Sequence, residues 1–216
     1  MSESVAMAVH RLPTVRALRE STRRIKEPPP PTTPPISNAR IAMAALLVAE
    51  TMFFSGLIGA YLIFRVGTPV WPPPNLPHLP LAVTWINTLV LMASGITMVG
   101  AARAARRDDT RALRRGLAAT AVLGVTFLAV QGSEWARLIQ HGLTISSGSY
   151  GATFYTLIGL HAAHVMGAVT WLGVVWWWAR RGHFAGGRDT AVDACTIYWV
   201  FVCVLWLVLF ALVYTW

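Results

Sequence analysis

The chain is 216 residues long, 55% apolar and only 12% charged, and its 18 Lys/Arg against nine Asp/Glu leave a net charge of +9. A soluble domain carries about a quarter charged residues, so this composition excludes an ordinary water-soluble globule, and equally a disordered or collagen-like chain. The basic residues fall in three short blocks between long apolar runs, the pattern of loops held on one face of a membrane, which argues against a nucleic-acid footprint.

Residues 1–39 read as a basic, Pro-rich tail, with Arg23, Arg24 and Lys26 ahead of PPPPTTPP at 28–35. The tail has no apolar h-region of the secretory type, and its prolines favour an extended, semi-rigid cytoplasmic linker. Residues 40–216 read as a five-helix transmembrane domain. Apolar runs at about 41–64, 81–101, 117–139, 150–179 and 192–215 each approach the roughly 20 residues that span a bilayer core. Between them lie VGTPVWPPPNLPHLP (66–80), RAARRDDTRALRR (103–115), QHGLTISSG (140–148) and ARRGHFAGGRD (179–189). Clustered prolines forbid helix in the first break, and no run alternates with period two over ten residues as a β-barrel strand does. The expected fold is therefore an all-α polytopic membrane protein.

Counting sets the orientation. The tail through Arg40 carries seven Lys/Arg, the 103–115 loop six and the 180–188 loop three, whereas the opposite side holds only Arg65 and Arg137. That asymmetry places the N terminus inside and, after five crossings, the C terminus outside. Trp71, Trp85, Trp135 and Trp216 fall at outer ends and Trp176–Trp178 at an inner end, where amphipathic rings prefer to sit.

The informative ionisable side chains inside these runs are Glu50, Glu134, His161 and His164. Each costs about 2.5–3.5 kcal/mol at the bilayer centre even on the gentler insertion scale. Glu50 lies about 13 Å in from the inner face and His164 about 21 Å from the outer one at 1.5 Å per residue. In a core about 30 Å thick these depths nearly coincide. The geometry thus permits a hydrogen bond from Glu50 to His164 or to His161 between the first and fourth helices, as a helix clasp or in a proton-relay or lipid-linked role. Glu134 lies near an outer end, within reach of water, and at i,i+3 from Arg137, which permits a local ion pair. His161 and His164 share one helix, and no other His enters a predicted span, so a haem or copper site within this chain is not expected.

Cys195 and Cys203 lie eight residues apart on one predicted helix, about 12 Å apart and beyond the roughly 7 Å reach of a disulfide. Gly56 and Ala60, and Gly159, Ala163 and Gly167, repeat at four-residue spacing. Such small-residue stripes suggest close packing of helices one and four.

The stretches AETMFFSGLIGAYLIFR (49–65), WPPP (71–74), WINTLVLMASG (85–95), QGSEW (131–135), YGATFYTLIGLHAAHVMGAV (150–169) and YWVFVCVLWLVLFALVYTW (198–216) resemble, in order, subunit III of the haem–copper terminal oxidases of the cytochrome c oxidase type. Five helices match the shorter bacterial members. The resemblance implies a non-redox accessory subunit, with no catalytic residue and no metal of its own, in a prokaryotic inner membrane. Haem and copper would lie in the catalytic subunit I, with subunit II and other respiratory-complex subunits as further partners. The complex would reduce oxygen with electrons from cytochrome c and translocate protons, while this chain binds phospholipid, stabilises the catalytic subunit and supports proton uptake. Glu50 matches the family's membrane-buried carboxylate, Glu134 the acid of its Gln-x-x-Glu stretch, and His161 and His164 its paired histidines. Asp193 fits the acid opening the last helix, and Arg65, Arg180 and Arg181 are candidates for lipid headgroups. One departure stands out, because Val200 and Cys203 occupy positions that commonly hold His and Asp. That leaves a quinol oxidase or a nitric-oxide-reductase assembly as alternative partners. A small transporter gated by Glu50 is opposed by the odd number of crossings, which cannot form two equal inverted halves.

Overall fold

A computed structural model describes residues 38–74, 79–182 and 190–215. The tail, Trp216 and most of the 179–189 loop lie outside the described residues. Five helices account for nearly all of the rest: α1 (Asn38–Gly67), α2 (Leu81–Ala105), α3 (Thr110–Gln140), α4 (Gly148–Arg180) and α5 (Thr190–Phe210), the last continuing into a π-helical turn at Ala211–Thr215. All five, taken with that turn, are long and apolar enough to cross a membrane, and no strand occurs among the described residues.

The helices outrun their predicted bounds because the charged residues taken for loop extend them. The break at 103–115 shrinks to a turn at 106–109. Asp108 adopts φ 57° there, and the Asp109 carboxylate accepts from the backbone N–H groups of Arg111 and Ala112 at 3.1 and 2.9 Å. That cap satisfies donors that every helix start leaves orphaned. Residues 110–115 therefore form the first turns of α3. At its far end, α3 closes on Gly142 at φ 90°. The Leu143 N–H reaches Leu138 O at 2.9 Å and the Gly142 N–H reaches Ile139 O at 3.0 Å, a Schellman closure that needs a residue tolerant of the left-handed region. Gly151 then lets α4 pass against the Thr144 carbonyl with no room for a Cβ.

Helices α2, α3, α4 and α5 pack successively into a closed ring, and α1 lies outside it against α4 and α5. The centre of the ring is filled by Trp199 and Trp206 of α5 with Phe127 of α3, all fully buried. The Trp206 and Phe127 rings meet edge-on at 4.9 Å. Each indole N–H has a polar partner on α2: Trp199 donates to Ser94 Oγ at 3.1 Å and Trp206 to Thr88 Oγ1 at 2.9 Å. Asn87 Nδ2 donates to Phe127 O at 3.1 Å. In hydrocarbon, where water cannot stand in, these cross-helix bonds fix register between helices that apolar packing alone would leave free to slide.

The close approaches lie where the small-residue stripe does not. A Cβ on Gly124 would come within 2.6 Å of the Trp199 ring, and one on Gly116 within 2.8 Å of Ala101 Cβ. Gly56 and Gly167 meet nothing within 4 Å, Ala60 and Ala163 are exposed, and Gly159 meets only the Trp135 ring at 3.5 Å. The expectation that this set marks tight contact between the first and fourth helices is thus corrected. Tight packing belongs to α2–α3 and α3–α5, where large rings need facing gaps.

Candidate functional site

The seam between α1 and α4 carries the polar pair. Glu50 Oε2 lies 2.9 Å from His164 Nε2, and the other ring nitrogen, Nδ1, lies 2.7 Å from Leu160 O. A carbonyl only accepts, so Nδ1 bears a hydrogen and donates it. One further exchangeable proton then sits between Nε2 and the Glu50 carboxyl. Rings enclose the pair: Phe54 stands edge-on to His164 at 5.1 Å, and Phe53 lies at 6.4 Å. Of the two partners open to Glu50, the fold uses His164.

The enclosure is incomplete: the Glu50 and His164 side chains retain 18% and 20% of their accessible surface, so the pair is mostly covered but keeps an opening along the seam. The reason is the position of α1 outside the ring, which leaves its seam with α4 covered on one side only. Along the same seam, toward the C-terminal end of α1, Leu57, Ala60, Phe64, Thr153, Thr156 and Leu157 border an apolar groove of about 220 Å³.

His161 faces the other way. One turn earlier on α4 it is completely buried, stacks on Trp206 at 5.2 Å and has Phe127 edge-on at 6.4 Å. Neither ring nitrogen has a hydrogen-bond partner among the described residues. The two histidines therefore sit in different environments, one in the ring core and one on the seam.

Glu134 pairs with Arg137 at 2.9 Å, as the i,i+3 spacing anticipates, but only Arg137 reaches the surface: the side-chain exposures are 8% and 66%. The expectation that Glu134 reaches water is corrected. It lies on the inward face of α3, one turn beyond Gln131, whose amide donates to the buried Tyr214 hydroxyl at 3.2 Å. Tyr61 in turn donates to Leu212 O at 3.2 Å, tying α1 to the same π-helical turn.

The arginines separate to opposite ends. Arg65 closes α1 beside the Trp71 ring at 6.0 Å, and Trp71 stacks edge-on with Tyr150 at the start of α4 at 5.0 Å. Arg180 and Arg181 close α4, lying over Trp176 at 5.0 Å and Trp177 at 3.7 Å. Since α1 and α4 run antiparallel, the three cannot meet one headgroup. Asp193, at the start of α5, accepts from Arg106 at 3.1 Å and lies 4.0 Å from Arg40, gathering the start of α1, the end of α2 and the start of α5. Sequence reasoning missed this junction, as it missed the Asn87–Thr88–Ser94 ladder. In WINTLVLMASG the available signal was Asn87 and Ser94, seven residues or two turns apart and so on one helix face, with Thr88 beside Asn87. Both cysteines are buried and unpaired, and no group of three His, Cys, Asp or Glu side chains suited to a metal occurs among the described residues.

Comparison with known proteins matches residues 32–216 to the family described as cytochrome c oxidase subunit III. The chain is 39% identical over 169 residues to a protein named cytochrome c oxidase subunit 3 from Synechocystis sp., covering 78% of this chain and 71% of the relative. It is 33% identical over 177 residues to a protein of the same name from Corynebacterium diphtheriae (81% and 86%). To that from Bos taurus it is 34% identical over 183 residues (82% and 69%).

Proposed function

The chain belongs to the cytochrome c oxidase subunit III family, and on that premise we propose that it is a non-redox accessory subunit whose α1–α4 seam joins a lipid-binding groove to a proton-holding pair. Membership makes it a multi-pass subunit of a terminal oxidase that works in complex with other oxidase subunits. Beyond that, the reading assigns haem and copper to subunit I, contacts to subunits I and II, cytochrome c as electron donor and a prokaryotic inner membrane as the location, with the N terminus inside. A quinol oxidase or nitric-oxide-reductase assembly remains the second reading, favoured only by Val200 and Cys203.

The observation that carries the seam reading is the 2.9 Å Glu50–His164 contact, which keeps about a fifth of its side-chain surface open on the same α1–α4 seam that carries the groove two turns away. A pair that only clasped two helices has no need of exposure, whereas one that exchanges a proton with its surroundings does. Phospholipid in the groove would cover the apolar walls, and Arg65 would meet its phosphate at one membrane face while Arg180 and Arg181 serve the other. In this role the chain steadies the catalytic subunit and supports proton uptake without carrying an electron.

Purification under mild detergent tests the assignment. Haem absorbance and further chains should co-purify with this chain, and the absorbance should vanish when the chain is isolated. Haem retained by the isolated chain, or a pure chain that transports solute in vesicles, would reject it.

A further inference from the structure

We infer that the outer surface between α2 and α5 holds one acyl chain of an anionic phospholipid, with Arg103 receiving its phosphate. The groove there measures about 350 Å³, larger than the one on the α1–α4 seam, and is walled by Met92, Gly95, Val99, Cys203 and Val204, with Arg103 as its one charged lining residue. Val200 completes the α5 wall, so the two positions that departed from the expected His and Asp present apolar surface here. The inference concerns a different face from the α1–α4 seam and depends only on membrane insertion.

Three features select the occupant. Length is the first. From Met92 to Arg103 α2 rises about 16 Å at 1.5 Å per residue, which is one leaflet of a core about 30 Å thick. Met92 lies near the middle of α2 and Arg103 in its last turn, so the groove runs from mid-membrane to one face and stops. A partner helix crossing the bilayer would need a path twice as long. Width is the second feature. Over that length the volume averages roughly 20 Å² in cross-section, room for a single hydrocarbon chain laid along the surface.

Charge is the third. Arg103 is exposed and makes no ion pair among the described residues, whereas its neighbour Arg106 is engaged by Asp193 at 3.1 Å. An uncompensated guanidinium at the mouth of an apolar channel matches a phosphate at the head of a chain. The floor is formed by Gly95, whose missing side chain would lie 3.5 Å from Cys203 Sγ. That is ordinary contact, so a side chain added here fills the groove without displacing α5.

The test uses the full chain purified with its accompanying subunits from membranes supplemented with phosphatidylglycerol or phosphatidylcholine of matched chains, with retained lipid counted by native mass spectrometry. Wild type should retain one more phosphatidylglycerol per complex than Gly95→Leu, and Val204→Trp, at a half-exposed position, should repeat that loss should Gly95→Leu fail to assemble. Arg103→Gln should keep a lipid but lose about fivefold of the preference for phosphatidylglycerol over phosphatidylcholine. Equal lipid counts in wild type and both filled variants would overturn the inference, as would an unchanged preference in Arg103→Gln. A photo-crosslinker at Val204 that captures another subunit in place of lipid would also overturn it.

Discussion

Breaking the Glu50–His164 contact offers the most direct test of how α1 is held. In α1 only 11% of the most apolar window is buried, against 28–44% in the other spans, so α1 has little packing to spare. Hydrogen bonds between membrane helices average about 0.6 kcal/mol and reach about 1.7. This one is short, links a carboxyl to an imidazole fixed by Leu160, and belongs in the upper half, giving an expected coupling of about 1–1.5 kcal/mol. His164→Leu leaves the Glu50 carboxyl without a partner and should cost about 1–3 kcal/mol. Glu50→Gln should cost less than about 0.5 kcal/mol, because the Gln amide donates to Nε2 while Nδ1 keeps its bond to Leu160. Reversible unfolding of the full chain by sodium dodecyl sulfate in mixed micelles, run as a double-mutant cycle with Glu50→Leu and His164→Leu, measures both quantities. Additive single losses, or Glu50→Gln as damaging as His164→Leu, would refute the reasoning.

Packing predicts opposite fates for two glycines. Gly124→Ala, facing the Trp199 ring, should destabilise by about 1–3 kcal/mol, whereas Gly56→Ala, facing open space, should be neutral or gain up to about 1 kcal/mol in helix propensity; thermal melts in detergent compare them. A lipid-soluble carbodiimide should label Glu50 ahead of Glu134, because Glu134 is 8% exposed and bound to Arg137 while Glu50 keeps 18% of its surface and pairs with a neutralisable imidazole; peptide mapping showing the reverse order would contradict the seam geometry. Asp193→Ala should cost less than about 1 kcal/mol and lose its effect in high salt, since both of its arginine partners are about two-thirds exposed.

Much of this protein was legible without coordinates. Five apolar runs of bilayer length fix the helix count, because in hydrocarbon a backbone must satisfy its own hydrogen bonds and helices do so locally. Depth along each run is also local arithmetic, which is why Glu50 and His164 were placed at one height before any contact was known. Helix ends were less legible: arginines that read as loop at 103–115 extend α2 and α3, since long cationic side chains reach the interface from a helical turn.

What a side chain faces was not local at all. His161 and His164 are three residues apart on one helix, yet one lies inside the ring and the other on its rim, because α1 docks outside α4 and α5 instead of entering the ring. The same placement left Glu50 with an opening along the seam and the Gly56–Ala60 stripe unpacked, and it could not be read from spacing, which gives a residue's angle around its own helix but not which neighbour stands there. The sequence by itself thus determined how many helices are long and apolar enough to cross a membrane and that Glu50 and His164 share one height. Only the tertiary structure decided which helices touch, because lipid is as apolar as the helix faces and the choice falls to a few large rings, facing glycines and polar partners contributed by distant parts of the chain.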